Sequence, residues 1–205
     1  MGLQKRKAML RNRQLICLNA STIVVVMESS RKEVQVVLGA GQVGRKLADE
    51  LIARGKEVRI VRRGEAGPAK PGLQWLQGDL LDPAFADEAC QGAAGVDHCV
   101  NPARYDRWST ELPPLFEAVL GAAKRAKAKL VVLDNVYMYG HAEGKPYTET
   151  TAMNPCSEKG KLRAELAQQL IDLQRSGEVD IAIGRAADFF GPNTAQTAMF
   201  HSRFY

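Results

Sequence analysis

Cysteine and histidine are scarce in this chain, four and three residues in 205. Cys17, Cys90, Cys99 and Cys156 form no CxxC pair, and His98, His141 and His201 do not join them at zinc spacing. That excludes a zinc finger or ribbon and a disulfide-stapled scaffold, so no metal site is expected. Free thiols in a reducing cytoplasm are the expectation. Long apolar runs are missing too. The nearest, "LICLNASTIVVVM", is broken by Asn19, Ser21 and Thr22. It falls short of the about 20 residues that span a bilayer. There is no small-x-small cleavage site before Met27, no internal repeat and no low-complexity tract.

What is present is the composition of a folded protein, 45% hydrophobic and 25% charged, which excludes a disordered or fibrous chain. The formal charge of +5 is unevenly spread. Lys5, Arg6, Lys7, Arg11 and Arg13 account for all of it, and residues 27–205 balance to zero. The basic character thus belongs to a head segment, and a nucleic-acid partner gains little support from it. Residues 1–30 read as a basic, disordered extension. Two readings of residues 1–26 stay open: a start codon placed too early, with Met27 opening the domain, or a targeting segment.

From Glu33 onward, short β-branched runs alternate with helical periods. Strands are expected at Val34–Leu38, Val58–Val61, Leu73–Leu76, Val96–Val100, Leu130–Leu133 and Val179–Ile183. Helices are expected at Gln42–Arg54, Pro83–Gln91, Pro113–Lys127 and Ser157–Arg175. Gly55 should cap the first helix. Six strands with crossovers imply an α/β, doubly wound parallel sheet over residues 31–192, a Rossmann fold. Such sheets bind ligands beyond the carboxyl ends of their strands.

The stretch "GAGQVG" occupies the turn between the first strand and the first helix. Gly39 permits a tight turn, Gly41 lets the backbone approach a pyrophosphate, and Gly44 lets the helix pack closely on the strand. The first-turn N–H groups, Gln42 and Val43 among them, then face the phosphates. The end of the second strand sets cofactor preference. An acid there would bind the ribose 2′-hydroxyl of NAD; Arg62 and Arg63 stand there instead. Two guanidiniums suit a 2′-phosphate, so NADP is favoured and NAD stays open.

The chain resembles the extended or atypical short-chain dehydrogenase/reductase superfamily, in its NAD-dependent epimerase/dehydratase group. The resemblance runs from about Glu33 to Pro192. It rests on "GAGQVG", "GDLLDP", "NPARY", "LDNVYMYG", "PYTETTAMNPCSEKGKLRAEL" and "RAADFFGP" in that order. It implies that Asp79 and Leu80 flank the adenine. Asn101, Pro102 and Ala103 would line the middle of the cofactor, and Ala186 to Phe189, with Ala187, would pass the nicotinamide. For Asp79 a helix-terminal role before Pro83 is an equal alternative.

The catalytic pattern departs from the family. Members carry Tyr-x-x-x-Lys on the long helix and a Ser or Thr after the fifth strand. Here those positions fall on Lys159, Arg163 and Asn135. The spacing of four keeps Lys159 and Arg163 on one helix face. Arg163 suits ribose or phosphate, and Asn135 suits a substrate carbonyl. Lys159 would act as an acid only if the neighbouring cation lowered its pKa. Tyr137 and Tyr139 are alternative phenols, with aromatic lining as their plainer role. An atypical subgroup of the superfamily resembles this sequence, with Asn in place of the Ser and a basic residue in place of the Tyr.

Extended members also carry a carboxyl-terminal substrate domain of roughly a hundred further residues. Residues 193–205 read as the start of such a region, cut short, and the expectation is a fragment or a cleft completed by a partner. Three functions follow. One is an NADP-dependent oxidoreductase, epimerase or dehydratase acting on an unidentified small molecule. Another is a non-catalytic NADP-binding regulator or interaction module. The third is a non-functional truncated product. No membrane or nucleic-acid partner is expected; a homodimer is allowed.

Overall fold

The computed structural model describes residues 14–19, 22–26, 33–142, 144, 146–187 and 189. The chain divides into two units, Met1–Lys32 and Glu33–Tyr205. The first unit, expected to be unstructured, contains an antiparallel pair, β1 (Gln14–Asn19) and β2 (Thr22–Val26). Both strands are rich in the Val, Ile and Leu that favour extended backbone.

The second unit is built on β3 (Val34–Leu38), α1 (Gln42–Ala53), β4 (Glu57–Arg62), β5 (Leu73–Gln77) and α2 (Pro83–Cys90). It continues with β6 (Gly95–His98), α3 (Trp108–Ala126), β7 (Lys129–Asp134), α4 (Glu158–Ser176) and β8 (Ile181–Arg185). The six strands form one parallel sheet ordered β5-β4-β3-β6-β7-β8. This is the doubly wound Rossmann arrangement read from the sequence. The chain reverses its direction of winding between β3 and β6, so their carboxyl ends open a crevice there.

The β-branched strands are apolar on both faces, as a covered parallel sheet requires. Val36, Leu38, Val96 and Leu130 pack beneath α2, α3 and α4 with Leu112, Phe116 and Leu170. Val37, Val58 and Ile60 face Ala48 of α1 on the other side. Each large side chain buried this way contributes about 1.5–3 kcal/mol. Gly55 closes α1: at φ +79 its N–H bonds Ile52 O at 2.8 Å, and Lys56 N bonds Leu51 O at 3.0 Å.

Several boundaries differ from the reading of the sequence: β8 runs Ile181–Arg185 where Val179–Ile183 was expected, and two others bear on the site. Helix α3 starts at Trp108, five residues before the expected Pro113, with both prolines inside it. Burial of Trp108, Leu112 and Phe116 at helical spacing outweighs the two missing N–H donors. Strand β6 ends at His98, so Cys99 and Val100 belong to the loop that meets Gly39.

Candidate cofactor cleft and active site

The turn after β3 is shaped by its neighbours. Gly39 adopts φ +108, and a Cβ there would lie 2.9 Å from the backbone of Cys99 and Val100. A Cβ on Gly44 would lie 1.9 Å from Gly39 O, so helix and turn are in direct backbone contact. Gly41 is different: a Cβ on it would meet no protein atom within 4 Å. Protein packing explains the first and last glycines and leaves the middle one facing open space.

That space is a cleft of about 480 Å³ at the switch point of the sheet. Its walls include Gly39, Gly41, Arg62, Arg63, Asp79 and Leu80, and on the β6 side Asn101 and Pro102. Gln42 and Val43 open α1 just outside this lining, and Gly44 lies buried beneath the turn. Ala187 is exposed just beyond β8 and is not among the lining residues. Among the described residues, no hydrogen bond or ion pair occupies the guanidinium of Arg62 or Arg63. Residues 193–205, where a substrate region was expected, lie outside the described residues.

Asp79 is not the cap of the next helix. Asp82 fills that role, accepting from Ala84 N at 3.0 Å, while Asp79 accepts locally from Leu81 N at 3.0 Å. Cys99 lines the same cleft, and burial, then the charge of Asp97, pushes its thiol up to about 12, so it stays protonated.

Farther along the carboxyl edge, the residues at the expected catalytic positions part company. Arg163 is 4% exposed. Its Nη1 lies 3.4 Å from Asp134 Oδ1, its Nη2 donates to Asn101 Oδ1 at 2.7 Å, and its plane covers Trp108 at 4.4 Å. Asp134 ends β7, also takes a 2.8 Å bond from Asn135 N, and faces Arg185 Nε at 3.8 Å. Burial raises the Asp134 carboxyl above its ordinary range, against the pull of that N–H and of Arg163 and Arg185. The guanidinium expected to hold ribose or phosphate is therefore engaged inside the protein.

Lys159, one turn earlier, is half-buried, with its ammonium 4.7 Å from the ring centroid of Tyr105. The cation that would have acted on it is already paired with Asp134. Asn135 uses its side-chain oxygen to accept from Tyr137 N at 3.0 Å, which leaves its amide N–H groups to donate. Tyr137 is 38% exposed and shares a hollow of about 400 Å³ with Tyr105, Ser157, Glu158 and Lys159. Its ring lies 6.4 Å from both Tyr105 and Trp108. Partial burial, then a hydrogen bond and the charge of Tyr137, raise the Tyr105 phenol above its usual range. Tyr139 is buried: its hydroxyl takes a bond from Arg185 Nη1 and lies 3.4 Å from Thr148 O.

Asp134, Tyr105 and Trp108 were not singled out from the sequence as site residues. Asp134 was findable as the last residue of a strand in a fold that uses strand ends. Trp108 lies before Pro113, the local signal of a helix start, and only its burial shows that the helix begins there. Among the described residues no group of His, Cys, Asp or Glu could hold a metal ion, and no helix is long and apolar enough to cross a membrane.

A model of the NAD dependent epimerase/dehydratase family matches residues 35–205. UDP-glucuronic acid decarboxylase 1 of Arabidopsis thaliana is 28% identical over 185 residues, covering 79% of this chain and 41% of that protein. A dTDP-6-deoxy-L-talose 4-dehydrogenase (NAD(P)(+)) of Kitasatospora kifunensis is 30% identical over 170 residues, covering 77% of this chain and 52% of the relative. The chain therefore spans about half the length of these curated relatives or less. Among solved structures, the UDP-glucose 4-epimerase of Thermus thermophilus in complex with NAD superposes with a TM-score of 0.68 at 21% identity, over 81% of this chain and 58% of that one. A UDP-N-acetylglucosamine 4-epimerase of Methanobrevibacter ruminantium gives 0.68 at 22% identity, over 82% and 60%. These two likenesses are of fold.

Proposed function

This chain belongs to the NAD-dependent epimerase/dehydratase family, and on that premise we propose that its cleft binds NADP in preference to NAD and serves sugar-nucleotide chemistry. The observation that carries the reading is Gly41. It is the one glycine of the turn whose missing side chain leaves room for something other than protein. It sits at the N-terminus of α1, where unsatisfied N–H groups and the helix dipole favour phosphate. The cofactor preference is supported by Arg62 and Arg63, which line the same cleft at the end of β4. The sugar-nucleotide class is supported by the names of the relatives, which act on UDP- and dTDP-sugars.

When bound, a nicotinamide dinucleotide accepts or returns hydride at a substrate carbon. This chain's part is to orient the substrate and manage the hydroxyl proton. Tyr137 is the phenol that supports that role best. It faces a hollow beside Lys159, whereas the Tyr139 hydroxyl is enclosed by Arg185 and Thr148. Asn135 offers its free amide N–H groups to a substrate oxygen.

A second reading is favoured by Arg163. A buried arginine tied to Asp134 stands where the family keeps a lysine beside its tyrosine, which suits a dinucleotide-binding protein without turnover. Calorimetry with NADP and NAD on the folded chain tests binding. Cofactor turnover against UDP- and dTDP-sugars then separates the readings. Turnover lost in Tyr137→Phe supports the enzyme, binding without turnover supports the non-catalytic protein, and no binding refutes both.

A further inference from the structure

Arg163 connects two parts of the site. It is anchored at one end by the buried Asp134 and at the other reaches Asn101, an exposed residue of the cofactor cleft. A guanidinium has only donors, so whatever faces it must accept. An amide side chain has one accepting and one donating end. Asn101 can meet Arg163 only with its oxygen, and the 2.7 Å contact is to Oδ1. Its NH2 is thereby left for the cleft. Without the guanidinium the amide could turn over, and position 101 would present acceptor or donor indifferently.

The guanidinium is itself held in place. Trp108 lies against one face at 4.4 Å, and Asp134, on β7, takes Nη1. The path runs from the end of β7 through α4 to the loop after β6, three elements joined by one buried side chain. We infer that Arg163 is a positioning residue: it fixes the Asn101 amide so that the cleft presents an N–H donor to an oxygen of the bound dinucleotide. This rests on the reading that the cleft holds that cofactor. The residue at this helix position then acts on the ligand through a second side chain, with no contact of its own.

The test is calorimetric affinity for NADP and NAD on the full chain, with folding of each variant confirmed by thermal denaturation. Asn101→Ala should weaken binding about tenfold, the value of one well-aligned hydrogen bond. Asn101→Asp keeps the shape and the oxygen toward Arg163 but replaces the donor with an acceptor and adds a negative charge, so its loss should equal or exceed that of Asn101→Ala. Arg163→Met combined with Asp134→Asn removes the buried Arg163–Asp134 pair together, while Arg185, which faces Asp134 at 3.8 Å, keeps its bond to the Tyr139 hydroxyl. That pair should weaken binding by at least about twofold, the cost of letting the amide choose between two orientations, and adding Asn101→Ala to it should cost less than Asn101→Ala costs in the wild type. Arg163→Lys, which still donates to Asn101, should recover most of the loss. Additive losses would show that Arg163 acts independently of Asn101 and would overturn the inference, as would wild-type affinity in the Arg163→Met, Asp134→Asn pair. A wild-type chain that binds neither dinucleotide overturns the cofactor reading, and this inference with it.

Discussion

The Lys159 ammonium lies 4.7 Å above the ring of Tyr105, while Arg163, one turn along α4, is buried against Asp134. The two cations share a helix face and differ in depth. Lys159 stands at the rim of the hollow with Tyr137; Arg163 reaches the core. The expected kinetic consequence is that Tyr137→Phe lowers turnover of a sugar nucleotide about 100-fold or more, the scale of lost general acid–base catalysis. Lys159→Ala should leave cofactor affinity within about threefold of wild type, because Lys159 does not line the cofactor cleft. Steady-state turnover and calorimetry check the two halves. An unchanged rate in Tyr137→Phe would remove the phenol from the reaction.

Arg62 and Arg63 line the cleft with no partner among the described residues. A charge-assisted bond to phosphate is worth roughly 1.5–3 kcal/mol. The Arg62→Ala, Arg63→Ala double variant should therefore weaken NADP about 10- to 100-fold and NAD by less than about threefold. Titration with each cofactor reads the difference, and equal losses would refute a 2′-phosphate clamp.

Gly41 and Gly44 separate binding from folding. Gly44→Ala drives a methyl to 1.9 Å from Gly39 O, and overpacking of that kind costs about 1–3 kcal/mol or more. Gly41→Ala meets no protein atom within 4 Å, so its melting temperature should match the wild type while its dinucleotide affinity falls. Thermal denaturation with and without cofactor distinguishes them. A destabilised Gly41→Ala protein would show that this glycine serves the fold.

Asp97 and His98 are two buried titrating residues of β6. Burial pushes the Asp97 carboxyl up to about 6, and burial, then the charge of Arg163, lowers His98 to about 4. Asp97 Oδ2 and both ring nitrogens of His98 have no hydrogen-bond partner among the described residues. Because the folded pKa of Asp97 lies above its unfolded value, its contribution is present at low pH and is lost as pH rises through about 6. His98 has the opposite sign: stability falls as pH drops from about 6.5 toward 4. Asp97→Asn should therefore stabilise the protein at pH 8 by about 1–3 kcal/mol and have little effect at pH 4. Urea denaturation of both proteins at the two pH values measures it. An equal change at both would assign the effect to packing.

The fold was legible because its signals are local. A β-branched run followed by "GAGQVG" and an amphipathic period implies strand, turn and helix without reference to the rest of the chain. Helix α3 was misplaced by five residues because Pro113 and Pro114 are strong local signals, and the burial of Trp108 that overrides them is tertiary. The cleft was legible in part, since strand ends are where this topology puts ligands. The face that carries Lys159 and Arg163 was less so. A spacing of four places Lys159 and Arg163 on one side of α4, but spacing carries no information about depth.

The sequence by itself determined the six-strand alternation, the glycine turn at the head of α1 and the two arginines at the end of β4. Each depends on neighbours within a few residues or on a repeating period. Only the tertiary structure decided that Arg163 pairs with Asp134 and donates to Asn101 at the edge of the cleft, that Tyr139 is enclosed while Tyr137 is open, and that Gly41 alone of its turn faces no protein. Those are relations between segments 29 to 62 residues apart in the case of Arg163. They arise when a parallel sheet brings the carboxyl ends of its strands to one edge.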